Sequence, residues 1–356
     1  MFAIGGITRM FPDANFIIRH GLPRLAVAAI SLAALEADRR GADAQRSRPM
    51  ARDAGLGRRE QIELRRSLMF AITGITGKVG GVVARALLSA GQRVRAVVRD
   101  ADKGRFWSDL DCEVAIAEME DAEALTRAFT SVTGVFILPP PNFDPEPGFP
   151  EARAVISGVR QALDATRPAR VVCLSTIGAQ AAQSNLLTQR TLMEEALSTL
   201  PLAVTFLRPA WFMDNISWDV PQARDQGVIS SFLQPLDKAI PMVATADVGR
   251  VVAELLLQDW TGTRVVELEG PERASPNGIA AALSKALHRP VRAEAVPREN
   301  WGAIFRAQGM RDPIPRIQML DGFNEGWIKF EGDGVGLVKG KVSLAEVIRE
   351  LASQHA

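Results

Sequence analysis

Seven residues, Gly74-Ile75-Thr76-Gly77-Lys78-Val79-Gly80, space three glycines at intervals of three. Glycines so placed let the backbone approach a phosphate that side chains would hold away. A helix beginning there offers unpaired N–H groups and the positive end of its dipole to the charge. The flanks supply the context. Met69 to Thr73 is a short apolar run of the kind buried in a parallel sheet. Val82, Val83, Ala86, Leu87 and Leu88 follow at helical spacing, Gly91 stops the helix, and Val94, Ala96 and Val98 form a second strand. Strand, turn, helix and strand read as a dinucleotide site, with Gly74, Thr76, Gly77, Lys78, Val79 and Gly80 as its cradle. The competing reading, a tight turn holding nothing, is the weaker one in that context.

Arg99 refines the ligand. A chain that binds NAD usually ends its second strand with an acid for the ribose 2′-hydroxyl. Here Arg99 stands at that end, with Lys103 four residues on. Two cations suit a 2′-phosphate, so NADPH is favoured over NADH. Asp100 is the counter-signal, since it too could face a ribose.

Proton chemistry is sparse. The chain has no tyrosine, and its three histidines (His20, His288 and His355) lie in a leader, a helix-to-strand turn and the final residues. Histidine and tyrosine acid–base catalysis are thereby close to excluded. Ser175 and Thr176 remain, at the end of the strand expected over Ala169 to Leu174. Cys112 and Cys173 are the only cysteines and form no C-x-x-C, so neither a disulfide framework nor a metal site is expected, and a reducing, cytoplasmic compartment fits. With 42 basic against 41 acidic residues, the balance points to no nucleic acid.

Alternating elements must position these groups. Cys112 to Ala117 reads as a third strand, and Glu118 onward to Phe129 as a helix with acids in its first turn. Gly134 to Leu138 is a fourth strand, ended by Pro139-Pro140-Pro141, since proline cannot feed a sheet ladder. Ligands of such sheets lie outside the carboxyl ends of the strands, which puts Leu138, Pro139 and Pro140 beside the cofactor, under a proline-rich loop from Asn142 to Pro150. A helix over Glu151 to Ala165, the fifth strand, a helix over Ser184 to Leu200 and a strand over Leu202 to Leu207 complete the run. The pattern predicts an α/β fold with a doubly wound parallel sheet.

Past residue 216 the pattern changes. Helices are expected over Ala246 to Leu257, Ser275 to Leu287, Glu299 to Gln308 and Ile314 to Trp327, with strands at Arg264 to Leu268 and Val291 to Val296. This part, residues 216–356, reads as a smaller substrate domain, some of whose segments return to the sheet of residues 68–215. Trp301, Phe305, Met310, Met319, Phe323 and Trp327 are candidates for its cleft wall, though core packing is the commoner role for such residues.

Residues 1–67 differ from the rest, with twelve arginines, no lysine and seven acids. The apolar run Leu25 to Leu35 is too short to span a bilayer. We read this segment as a leader of no catalytic role, mostly disordered apart from a helix around 23–40, or as an extended start before a functional chain beginning near Met69.

Over about residues 69–330 the chain resembles the NmrA-like branch of the atypical short-chain dehydrogenases. The likeness rests on Thr73 to Gly80, on Val98-Arg99-Asp100 with Lys103, and on Leu174-Ser175-Thr176-Ile177-Gly178. It rests also on Thr205-Phe206-Leu207-Arg208-Pro209 with Asn215, and on Ala246-Asp247-Val248-Gly249-Arg250. The resemblance implies a Rossmann NAD(P) domain with a small C-terminal α/β substrate domain. Its members include quinone and dye reductases, isoflavone-type reductases, and cofactor sensors without turnover. Ser175, Arg190 and Pro209 join the expected cofactor site, and Trp211, Phe212 and Asn215 form the expected substrate pocket. The family's usual Tyr-x-x-x-Lys is replaced: Leu186 takes the tyrosine position and Arg190 the lysine position. Ser175, Thr176 and Arg190 are the only catalytic candidates left. Chemistry needing no protein acid survives, namely hydride transfer from NADPH to a quinone-like or other conjugated apolar acceptor. The alternative is a non-catalytic NADP(H) sensor that binds a partner protein. No membrane partner is expected.

Overall fold

The computed structural model describes residues 68–332 and 336–354; the expectations for residues 1–67 lie outside the described residues. β1 (Met69–Thr73) runs into the glycine turn and α1 (Lys78–Ser89). β2 (Arg93–Val98), α2 (Ala101–Ser108), β3 (Glu113–Ile116), α3 (Ala122–Phe129) and β4 (Gly134–Ile137) follow. α4 (Pro150–Thr166), β5 (Arg170–Leu174), α5 (Thr188–Ser198) and β6 (Val204–Pro209) complete the alternation. Then come β7 (Trp211–Phe212), a 3-10 turn (Met213–Trp218), α6 (Val220–Gln226), β8 (Val228–Ser231), β9 (Ile240–Val243), α7 (Thr245–Leu256) and β10 (Thr263–Glu269). β11 (Arg273–Ala274), α8 (Pro276–Leu287), β12 (Arg292–Ala295), α9 (Trp301–Ala307), α10 (Ile314–Glu325), β13 (Gly336–Lys339) and α11 (Leu344–Gln354) end the described chain.

Eight of these strands form one sheet in the order β13-β10-β6-β5-β4-β1-β2-β3, with every neighbouring pair parallel. Side chains alternate between its two faces. Phe70, Ile72, Phe136 and Val172 meet α1 and α7 through Val83, Leu87, Val248 and Val252. Ala71, Val135, Ile137, Val171 and Cys173 meet α3, α4 and α5 through Leu125, Phe129, Val159, Leu163 and Met193. Both faces are covered, so the central strands are uniformly apolar. α1 and α7 lie close because Gly249 has no side chain; a Cβ there would sit 2.5 Å from Val82 Cβ.

Residues past 216 do two things. β10 and β13 extend the large sheet beyond β6. The remainder builds a second layer with two small sheets, β11-β9-β7 and β12-β8, around Met213, Ile240, Met242, Leu283, Phe323 and Ile348. Several boundaries depart from expectation, among them the helix expected from Glu118, which begins at Ala122. α5 begins at Thr188 rather than Ser184, because Asn185 Oδ1 accepts the Leu187 N–H at 2.8 Å and Thr188 Oγ1 accepts the Asn185 N–H at 2.9 Å. Those local bonds hold the segment in a turn. β6 continues through Pro209, which still serves the ladder with its carbonyl, accepting the Ile177 N–H at 2.9 Å. Among the described residues, no helix is long and apolar enough to cross a membrane.

Asp219 joins the 3-10 turn to α6, and its side chain has no hydrogen-bond partner among the described residues. Burial pushes its carboxyl up to about 7, against an ordinary value of 3.8. The folded protein therefore holds this proton more tightly than the unfolded chain. Stability is greatest below the unfolded value and falls as pH rises toward 7, by a few kcal/mol at most (about 1.4 kcal/mol per unit). We expect Asp219→Asn to melt above the parent at about pH 8 and with it at about pH 3.5. Thermal melts with the same gap at both pH values would refute this.

Candidate functional site

The site begins where β1 ends. Gly74 adopts φ +61°, a conformation open to glycine, and Gly77 N–H donates to Gly74 O at 3.0 Å to close the turn. Gly77 is the N-cap of α1 and provides no side-chain cap, so the first-turn amides stay uncapped, and Thr76, Gly77 and Lys78 are exposed. At Gly80 a Cβ would crowd the Gly74 carbonyl oxygen and lie 2.7 Å from its carbon and 2.8 Å from Ile75 Cα. Val79 is buried beneath the turn. Such a cradle fits a pyrophosphate: uncapped N–H groups at a helix start, and no side chain in the approach.

A second segment closes over it. Thr73 Oγ1 donates to Phe136 O at 3.0 Å and accepts the Leu138 N–H at 2.7 Å. Leu138 is thereby pinned against Gly74, where an added Cβ would meet its side chain at Cδ2 and, 3.0 Å away, Cγ. From there the chain leaves the sheet through Pro139 and Pro140. Their carbonyl oxygens accept hydrogen bonds from the Arg190 guanidinium at 3.2 and 3.3 Å. Burial pushes the Arg190 pKa down. Its partners are neutral carbonyls, so its charge is not cancelled by a carboxylate. Beyond the prolines, Gln189 holds Asn142 O at 2.9 Å, and Asp144 takes the Arg311 and Asp312 N–H groups and the Arg311 guanidinium.

At the end of β2, Arg99 is exposed and has no hydrogen bond or ion pair among the described residues. Lys103 stands a turn away in α2, half-buried. Asp100 is engaged, since its Oδ1 accepts the Asp102 N–H at 2.9 Å as the N-cap of α2. Lys78 reaches elsewhere than the turn: its Nζ lies 3.2 Å from Asp214 Oδ1. Asp214 also accepts the Thr245 N–H at 2.9 Å and hydroxyl at 2.7 Å, fastening the 3-10 turn to the start of α7.

At the end of β5 the two hydroxyls part company. Ser175 is buried and donates a short hydrogen bond to Glu194 Oε1 on α5. Glu194 is gripped by Arg208 of β6, Nε to Oε1 at 2.9 Å and Nη2 to Oε2 at 2.6 Å. Arg208 also reaches Glu331 at 2.6 Å and Gln180 at 3.3 Å. Burial opposes the Arg208 charge, but Glu194 and then Glu331 outweigh it and hold its pKa above the ordinary value. Thr176, half-buried, has no side-chain partner among the described residues. Leu186 is buried, and its N–H donates to Pro315 O at 2.9 Å, so the tyrosine position is filled by packing.

The chain matches the description of the NmrA-like family over residues 68–325. It belongs to the NmrA-like family. Among relatives, the NAD(P)H azoreductase of Xenophilus azovorans is 28% identical over 249 residues, covering 69% of this chain and 83% of that one. A (4-alkanoyl-5-oxo-2,5-dihydrofuran-3-yl)methyl phosphate reductase of Streptomyces griseus is 30% identical over 229 residues, 64% of this chain and 76% of its own. The NADPH complex of an Escherichia coli NADPH-dependent quinone oxidoreductase shares the fold at TM-score 0.67 and 22% identity, over 80% of this chain and 99% of that one.

Within this NmrA-like chain, the glycine turn, the segment after β4 and Arg190 of α5 lie beyond the carboxyl ends of neighbouring interior strands. Pro209 ends β6 on the same side, where its carbonyl accepts the Ile177 N–H at 2.9 Å. Trp211 is half-buried, edge-to-face on Phe323 with ring centroids 5.1 Å apart. Phe212 packs on the large core, and the Asn215 side chain has no partner among the described residues. Trp301, Phe305, Met310 and Phe323 are buried in cores, whereas Met319 and Trp327 are only partly so. Glu194, Asp214 and Arg208 had no assigned role in the sequence reading. The carboxylate that Ser175 meets, Glu194, lies on the following helix and is not signalled by spacing.

Proposed function

We propose that the protein is an NADPH-dependent oxidoreductase that passes hydride to a quinone-like or other conjugated acceptor without a Tyr-Lys proton relay. The observation that carries this is the uncapped start of α1 against Leu138, whose following proline carbonyls hold Arg190, while the tyrosine position is a buried leucine. Bound NADPH supplies the hydride. The α1 amides hold the pyrophosphate. Arg99 and Lys103 take the 2′-phosphate, while Asp100 is occupied as a helix cap. Arg190, an uncancelled cation, faces the ribose or a phosphate.

Ser175 cannot donate to an acceptor, because its single proton goes to Glu194. It can only accept, which suits the amide of a nicotinamide. Thr176 keeps the one uncommitted hydroxyl at this strand end. A conjugated acceptor tolerates the lack of an acid, since its reduced anion is already stabilised and takes its proton from water; positioning does the rest. The named activities of the relatives, azo-dye, quinone and furanone phosphate reduction, all involve conjugated acceptors.

The test is NADPH oxidation by the full chain with a panel of quinones, beside NADPH and NADH affinities of Arg99→Asp. We expect turnover, and a loss of NADPH affinity of roughly tenfold or more that NADH does not share. Tight NADPH binding with no turnover would replace this reading by the sensor. Equal losses for the two nucleotides would remove Arg99 from the 2′-phosphate.

A further inference from the structure

Arg316 is a mostly buried cation without a counter-ion. It lies in the first turn of α10, which contains no acid, and has neither a hydrogen bond nor an ion pair among the described residues. Its one contact of note is aromatic: the guanidinium carbon is 4.3 Å from the centre of the Phe305 ring. Arg298 makes the contrast. It also stacks on a ring of this cluster, Trp301 at 5.2 Å, but Asp321 grips it with two bonds of 2.7 Å. The nearest acids in sequence are committed, Asp312 to the Ile314 N–H and Asp321 to Arg298. Burial accordingly lowers the Arg316 pKa with no carboxylate to restore it.

Desolvating a guanidinium is costly, and a ring face returns only part of that cost. Stacking does, however, fix the guanidinium plane and leave its N–H edge free. That edge matches two oxygens of a phosphate, sulfonate or carboxylate. Its position is suggestive of a ligand. Pro315 O holds the Leu186 N–H, tying α10 to the segment that leads into α5 and Arg190. Phe305 belongs to the cluster that Trp211 joins directly after β6. Arg316 is thus tied through Pro315 to the segment that follows β5, and through Phe305 to the cluster that Trp211 joins after β6.

We propose that Arg316 binds an oxyanion substituent of the acceptor, so that the substrate is a planar conjugated molecule carrying a phosphate, sulfonate or carboxylate. This rests on the reductase reading for the acceptor's conjugation, but not for the anion. Two measurements separate them. The first compares kcat/KM for naphthoquinone and naphthoquinone sulfonate. Arg316→Met should lower the sulfonate-to-parent ratio at least about tenfold, chiefly through KM, with Arg316→Lys between. The second follows tryptophan fluorescence as naphthyl phosphate, which cannot be reduced, is added. Wild type should bind it and Arg316→Met should bind at least about tenfold more weakly. An unchanged ratio, or equal naphthyl phosphate affinity in the two proteins, overturns the proposal. If neither quinone is turned over, the reductase reading fails, and the fluorescence titration alone decides the anion site.

Discussion

Replacing Gly80 with alanine is expected to abolish NADPH binding and lower the melting temperature together, whereas replacing Gly77 with alanine should weaken binding alone. The difference lies in what each added methyl meets. At Gly80 it meets backbone: the Gly74 carbonyl oxygen first, then the Gly74 carbon at 2.7 Å and Ile75 Cα at 2.8 Å. Backbone cannot swing aside as a side chain can, so the turn must open and α1 must withdraw from β1. Overpacking of this kind costs about 1–3 kcal/mol. The same shift moves the first-turn amides away from the ligand, and every 1.4 kcal/mol lost there is about tenfold in affinity. We expect a fall of at least about 100-fold. At Gly77 the nearest atom is 3.4 Å away, an ordinary contact, and φ is −89°. Alanine fits there without strain, but its methyl stands on the exposed rim of the cradle. Calorimetric titration with NADPH beside thermal melts would check both variants. Wild-type affinity in Gly80→Ala would remove the turn from the site.

The second large effect concerns the buried ion pair. Glu194→Ala should destabilise the protein by about 3–5 kcal/mol, because it strands the Arg208 guanidinium, whose side chain is 6% exposed, with Glu331 alone. Removing both charges should hurt less than removing one. In Glu194→Leu/Arg208→Met no desolvated charge is left over, and apolar replacement of a buried pair is often close to neutral. Denaturant melts of Glu194→Leu, Arg208→Met and the double variant form the cycle. Additive losses would show that the two charges do not support one another. Freed from Glu194, Ser175 in Glu194→Ala also regains its proton for donation.

The parts that sequence made legible were local. The glycine turn, the strands beside it and the α1 stripe declare themselves within thirty residues, because spacing alone carries their physics. The helix expected over Ser184 to Leu200 put Leu186 and Arg190 on one element, but Leu186 lies in the turn before α5. The residues that were not legible act across distance. Ser175 meets Glu194 across a separation of 19 positions, and Lys78 meets Asp214 across one of 136. No periodicity announces such pairs. β7 and β11, with two residues each, are too short to carry a pattern, and β13 is largely exposed and shows no apolar alternation. α11 lay past the last segment that the sequence reading divided into elements, although Val347, Ile348 and Leu351 give it a buried stripe.

The Thr73 hydroxyl has a mechanical meaning. One oxygen both donates a hydrogen bond to β4 and accepts one from the Leu138 N–H. It works as a rivet through two plates, the glycine turn on one side and the proline exit on the other. Plates so joined cannot slide independently. A load placed in the turn is transmitted through Leu138 to the proline carbonyls, and from them to the arginine they hold. The position of the glycine turn and the aim of Arg190 are thereby tied through one hydroxyl and the proline carbonyls beyond it.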